Sequence, residues 1–100
     1  MRVIAKKTLV KFWEDNPQYS DAREPLEAWY REVKQEHWTS PADIKAKYGS
    51  ASILQSGRVI FNIAGNKYRL VVKINYPAEI IYIRFIGTHK QYDNIDPETI

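Results

Sequence analysis

The stretch RVIFNIAGNKYRLVVKINY, residues 58–76, decides the fold. Val59, Phe61 and Ile63 alternate with Arg58, Ile60 and Asn62, the two-residue period of a strand with one buried face. Gly65-Asn66 then supplies a two-residue hairpin turn, and placing that turn fixes the register. Ala64 is expected opposite Lys67, Asn62 opposite Arg69, Ile60 opposite Val71, and Arg58 opposite Lys73. One side of the hairpin then collects Val59, Phe61, Ile63, Tyr68, Leu70, Val72, Ile74 and Tyr76 as core. A one-residue slip would exchange the two faces, so the pattern holds the register in place. The next segment, IIYIRFIGT at residues 80–88, returns after a turn at Pro77-Ala78. A two-residue loop there sets Lys73 opposite Tyr82, Val71 opposite Arg84 and Arg69 opposite Ile86. It adds Ile81, Ile83 and Phe85 to the core face, whereas a three-residue loop would turn Arg84 inward.

Upstream of this meander the chain reads as helical. Val3 to Ala5 fits a short opening strand. Ala5, Leu9, Phe12 and Trp13 then recur at helical spacing, with Lys6, Lys7 and Lys11 off the stripe, until Asn16-Pro17 ends the helix. A second helix starts at residue 20, where Ser20 can cap it, or at residue 24, because Pro25 is tolerated only in a first turn. Its buried face is Ala22, Leu26, Trp29, Tyr30, Val33 and His37. The run Thr39-Ser40-Pro41-Ala42-Asp43 opens a short third helix reaching about Tyr48, and residues 49–57 form a polar loop. Trp13, Trp29 and Trp38 belong to core or helix–sheet packing, and His37 to structure. The fold class is α+β, with N-terminal helices packed on a small antiparallel sheet.

Composition narrows the function classes. One hundred residues suit one domain spanning 1–100, and an apolar fraction of 44% fits a chain folding around a core. The absence of cysteine excludes disulfide frameworks and cysteine-based metal sites. The N-terminus MRVIAKKTLVKF breaks each apolar run with lysine, unlike a signal peptide, and no stretch approaches the roughly 18 apolar residues of a membrane span. The expectation is a soluble cytoplasmic protein without a membrane partner. Net charge is +3, a weak pointer to nucleic acid until the charges are located.

The meander locates them. Its second face presents Arg58, Asn62, Lys67, Arg69, Lys73, Tyr82, Arg84 and Thr88 around Ile60, Val71 and Ile86. Five cations share that face with no acid, although neighbouring like charges repel. Acids from the helices, or Asp93, Asp96 and Glu98 of the tail, are one way to neutralise it. Phosphate binding is the other, and the arginine fork suits it with two aligned donors. Tyr82 offers a stacking surface for an unstacked base.

At the rim, Gly87 permits a bulge or a close backbone approach. His89 can transfer protons near neutral pH, Lys90 adds charge, and Tyr92 either stacks on a base or staples the tail. No Gly-rich phosphate loop, histidine pair at metal-ligand spacing or nucleophile elbow is present, so neither cofactor nor metal is expected.

Two segments, RVIFNIAGNKYRL at 58–70 and YIRFIGTHKQYD at 82–93, resemble the HigB toxin family of the RelE superfamily, and WYREV at 29–33 is similar to its second helix. Phe-Asn-x-x-Gly-Asn-x-Tyr-Arg-Leu together with Thr-His-x-x-Tyr-Asp is far more specific than either piece alone. The resemblance implies a RelE-like microbial ribonuclease fold and an endoribonuclease that cleaves messenger RNA, often in the ribosomal A site. It also implies a HigA-type helix-turn-helix antitoxin, which would bring the pair to operator DNA. Under this reading His89, Arg69, Arg84 and Tyr92 are the catalytic candidates. Arg58, Lys67, Lys73, Tyr82 and Lys90 are the RNA-binding candidates.

Overall fold

The computed structural model describes all residues, 1–100. Strand β1 (Arg2–Ile4) leads into helix α1 (Lys6–Glu14), a 3₁₀ segment (Pro17–Ala22), helix α2 (Arg23–Lys34) and helix α3 (Pro41–Lys47). Then follow β2 (Ser52–Ile53), β3 (Arg58–Ile63), β4 (Tyr68–Asn75), β5 (Ile80–Thr88) and the one-turn helix α4 (His89–Tyr92). The strands form one mixed sheet in the order β1-β5-β4-β3-β2. The α+β expectation holds, with two additions. β1 runs parallel to β5, pairing Arg2 with Ile80 and Ile4 with Tyr82. Two residues of the expected loop, Ser52 and Ile53, pair with Ile60 and Val59 as an edge strand.

The first hairpin has the predicted register, with Arg58 opposite Lys73, Ile60 opposite Val71 and Asn62 opposite Arg69. Its turn closes by Lys67 N–H donating to the Ala64 carbonyl at 3.3 Å, with Gly65 at φ +73°. A side chain there would strain the backbone, which is why glycine serves the turn. The second hairpin also closes on two residues, the Glu79 N–H donating to the Tyr76 carbonyl at 3.1 Å. Lys73 accordingly faces Tyr82, and Val72 faces Ile83.

Beyond that point the predicted pairing fails by one residue. A bulge between Val71 and Val72 leaves Arg84 as the extra residue of β5, so that Val71 faces Phe85, Leu70 faces Ile86 and Arg69 faces Gly87. Since successive side chains alternate faces, one inserted residue exchanges everything after it. Ile86, expected on the outer face, packs against the core, whereas Phe85, expected in the core, does not.

The inner face packs on the helices. Val59, Phe61, Tyr68, Leu70, Val72 and Ile81 are each at most 1% exposed and meet Leu9, Leu26, Trp29, Val33, Trp38 and Ile44. Phe61 lies at the centre, with Trp29, Tyr48 and Trp38 ring centroids 5.4, 5.2 and 6.3 Å away. All three tryptophans are buried, as expected of core or helix–sheet packing. Truncating an aromatic so placed costs about 3–5 kcal/mol.

The helix starts differ in detail from the sequence reading. α2 opens at Arg23, close to the later of the two alternatives. Pro25 therefore lies in the first turn, where its missing N–H has no intrahelical partner to lose. Ser20 lies within the 3₁₀ segment and caps nothing. α3 begins after Ser40, whose hydroxyl makes no capping bond. Instead Asp43 accepts hydrogen bonds from the Thr39 N–H (2.9 Å) and hydroxyl (3.1 Å), which hold its carboxyl below the usual carboxylate range. α2 ends before His37, which is exposed and bonds Glu79 through Nδ1 at 2.8 Å, tying the following loop to the β4–β5 turn.

Asp21 of the 3₁₀ segment accepts hydrogen bonds from both Lys67 and Tyr68 and so clamps the first hairpin to the helical layer. The Lys67 hydrogen bond, and then that of Tyr68, lower the Asp21 carboxyl below its ordinary value of 3.8. A carboxyl whose folded pKa is depressed adds stability above its unfolded pKa and loses it as pH falls through the folded value. Asp21→Asn is therefore expected to lower the melting temperature near neutral pH. The gap to wild type should close as pH is taken from about 5 to about 2, measured by circular dichroism melts.

Candidate nucleic-acid interface

Alternation along β3 and β4 places Arg69 and Lys73 on the face away from the helices, and β5 adds Tyr82 and Arg84 to it. Arg84 is exposed, and its guanidinium lies 5.4 Å from the centre of the Tyr82 ring. Arg69 is half-buried. Its guanidinium sits 4.6 Å from the centre of the Tyr92 ring, an attraction between a cation and the negative ring face. Its Nε is buried and makes no hydrogen bond.

Tyr92 reaches this position because α4 turns back immediately after β5. Thr88 caps the helix reciprocally. Its hydroxyl accepts from the Gln91 N–H at 3.1 Å, while the Gln91 side-chain oxygen accepts from the Thr88 N–H at 2.9 Å. Such a cap stabilises a helix start by about 1 kcal/mol, a large share for a single turn. His89 is the first residue of that turn and is half-buried. Its Nε2 is buried without a hydrogen-bonding partner. Lys90 is exposed on the same turn.

Gly87 permits the close approach its type suggests, although the bulge lies three residues earlier. A Cβ at Gly87 would stand 2.6 Å from both the Phe85 ring and the Gln91 side-chain oxygen. Phe85 in turn meets Tyr92 at 6.4 Å between ring centroids and 60° between planes. Arg69, Phe85, Gly87, Gln91 and Tyr92 therefore form one assembly. Sequence reasoning missed two of its members. Gln91 was legible in the Thr88-x-x-Gln91 spacing of a capping box, but Phe85 was hidden by the bulge.

Two predicted site cations are placed elsewhere. Lys67 pairs with Asp21 on the helical side, because it belongs to the turn and not to the flat part of the sheet. Arg58 donates through Nε and Nη2 to the Ile100 backbone oxygen at 3.2 and 2.6 Å, and through Nη1 to that of Ser56 at 3.3 Å. The end of the chain is thereby tied to the start of β3. Ile60 (5% exposed) and Val71 (0%) are buried outside the inner core.

The tail does not neutralise the face. Asp93, Asp96 and Glu98 make no ion pair, and the four ion pairs of the molecule join Arg23 to Glu27, His37 to Glu79, Lys47 to Glu36 and Lys67 to Asp21. Arg69, Lys73 and Arg84 stand without a carboxylate partner. No cluster of side chains is suited to hold a metal ion.

On the opposite side, a cleft of about 150 Å³ lies between α2 and β3, lined in part by Trp29, Glu32, Tyr48 and Phe61. The Tyr48 hydroxyl donates to Glu32 at 2.5 Å, and burial followed by that carboxylate pushes the phenol well above its ordinary range. None of the nine candidate site residues lines this cleft.

Gly87→Ala should displace Gln91 from the cap and Phe85 from Tyr92. It is expected to cost about 1–2 kcal/mol in urea denaturation, with Gly49→Ala, which has open space around it, near neutral.

Comparison with known proteins gives this geometry a family. Residues 22–95 match the family described as HigB_toxin, the RelE-like toxic component of a toxin-antitoxin system. The chain is 28% identical over 95 residues to the mRNA interferase toxin HigB of Escherichia coli (strain K12), covering 93% of this chain and 88% of that protein. The mRNA interferases HigB of Escherichia coli O157:H7 and of Shigella flexneri match to the same extent. The matched residues run from the second helix through the sheet to the short helix that carries His89 and Tyr92, and the chain belongs to the RelE-like HigB toxin family.

Proposed function

We propose that this toxin is a metal-independent endoribonuclease that cleaves messenger RNA, bound on the ribosome, and so blocks translation in the cytoplasm. The observation that carries the reading is the outer sheet face, where Arg69, Arg84 and Lys73 lack carboxylate partners beside His89 and Tyr92. The names of the relatives support the same chemistry.

The RNA 2′-hydroxyl loses its proton to a base and attacks the adjacent phosphorus. The bond to the 5′-oxygen breaks, leaving a 2′,3′-cyclic phosphate and, after protonation, a 5′-hydroxyl. Arg69 and Arg84 stabilise the charge that develops on the phosphate oxygens, an effect of roughly 3–4 kcal/mol for a well-placed donor. His89 transfers the proton, and Tyr92 orients the site by stacking. Lys73, Tyr82 and Lys90 hold the flanking RNA. Arg58 joins them only when the Ile100 contact opens, and Lys67 only when it leaves Asp21.

A HigA-type helix-turn-helix antitoxin is the proposed neutralising partner, and operator DNA is reached only through it. No helix is long and apolar enough to cross a membrane, and no membrane role is proposed.

The test is induced expression in a bacterial host with primer extension on a reporter messenger. Wild type should arrest growth and produce discrete cuts. Arg69→Ala should lower cleavage by about 10²–10³-fold, and His89→Ala by about 10²-fold or more. Wild-type cleavage by His89→Ala would remove His89 from the mechanism. Intact messenger and normal growth with well-expressed wild-type protein would favour a non-cleaving RNA-binding module on the same face.

A further inference from the structure

Arg69 is the most demanding group in the proposed site, because a guanidinium stabilises phosphate charge only when its donors are aimed within a fraction of an ångström. The protein gives it little to aim with. Arg69 forms no ion pair and no side-chain hydrogen bond, its Nε is buried without a partner, and the contact that holds its guanidinium is the face of Tyr92. The orientation of the Tyr92 ring therefore sets the orientation of Arg69.

The ring of Tyr92 is held in turn. Its backbone is fixed by the Thr88–Gln91 cap, but the cap leaves side-chain rotation free. Phe85 restricts that rotation, meeting Tyr92 at 60° between ring planes, an edge-to-face arrangement. Phe85 itself lies against Gly87 so closely that a single methyl there would collide with it. It contributes nothing to the inner core, because the bulge at Arg84 has turned it to the outer face. A half-buried aromatic that has left the core and touches the one ring supporting Arg69 has a positional task.

The geometry points to Phe85 as a positioning residue for the cleavage step: it holds Tyr92 in the orientation at which Tyr92 supports the Arg69 guanidinium. This rests on the reading that Arg69 stabilises the phosphate. Phe85 acts through Tyr92 and Arg69, so its removal is expected to weaken the chemical step and spare binding.

The experiment is single-turnover cleavage of a messenger programmed on purified ribosomes, with wild type, Phe85→Leu, Phe85→Tyr, Arg69→Ala and the Phe85→Leu/Arg69→Ala double variant. Phe85→Leu is expected to lower the saturating rate about 5–20-fold and to move the half-saturating concentration less than about twofold. Phe85→Tyr keeps the ring and should retain at least about half the wild-type rate. In the Arg69→Ala background Phe85→Leu should add almost nothing, since the group it positions is gone.

Wild-type rates for Phe85→Leu overturn the inference, as does a loss confined to half-saturation, or an undiminished loss in the Arg69→Ala background. Melting curves on each variant separate unfolding from misplacement. If Phe85→Leu fails to fold, a loss of about fivefold or more in folded Phe85→Tyr overturns the inference. Wild-type protein that leaves the messenger intact overturns the functional reading itself, and this one with it.

Discussion

One extra residue in β5, opposite the Val71–Val72 peptide, decides what the outer face of this sheet contains. Before the bulge, β5 sends Ile81 inward and Tyr82 outward. After it, Ile86 packs inward and Phe85 lies outside with Gly87 and Tyr92. A straight ladder would have buried Phe85 and placed Ile86 beside Arg69. The bulge also leaves Arg84 exposed and without a partner across the ladder. The candidate site is thus built by a local irregularity in an otherwise regular sheet. The regular part, with Phe61 at its centre, supplies the stability that holds the irregular part in place.

The electrostatics follow from the same division. On the helical side Lys67 has Asp21, Lys47 has Glu36 and Arg23 has Glu27, while Lys6 and Lys34 lie over the Tyr30 ring. Arg69 and Arg84 on the outer face have an aromatic neighbour and no acid, Arg69 against Tyr92 and Arg84 against Tyr82. An aromatic ring orients a guanidinium without neutralising it, so the face keeps its positive charge. The tail meets Arg58 through the Ile100 oxygen, and its Asp93, Asp96 and Glu98 make no ion pair. Such a face attracts phosphate from a distance and keeps its donors unoccupied for contact.

Much of this was legible in the sequence, and the exceptions have physical causes. The first hairpin could be read residue by residue because Gly65-Asn66 fixes the turn and strict alternation fixes the faces. Trp13 and Trp29 announced themselves by helical spacing, whereas Trp38, in the loop after the second helix, was assigned to packing as a tryptophan and not by its spacing. The bulge did not announce itself, because Ile83-Arg84-Phe85-Ile86 offers an apolar residue to the core in either register. Alternation alone cannot choose between them. The parallel pairing of β1 with β5 and the two-residue β2 were also hidden, since such short strands are defined by their partners and not by their own pattern. Lys67 was read as part of the flat face because the turn that redirects it towards Asp21 depends on the 3₁₀ segment, which has no strong signature. The cap that places His89 and Tyr92 was written plainly as Thr88 and Gln91.

The most direct test of this account is a proton nuclear Overhauser spectrum of the labelled protein, read across β4 and β5. The bulged register predicts cross-strand contacts between Val71 and Phe85 and between Leu70 and Ile86, with Phe85 ring protons close to the Gly87 α-protons and the Tyr92 ring. Contacts pairing Val71 with Arg84 and Arg69 with Ile86, with the Phe85 ring among core residues such as Leu26 and Trp29, would contradict it.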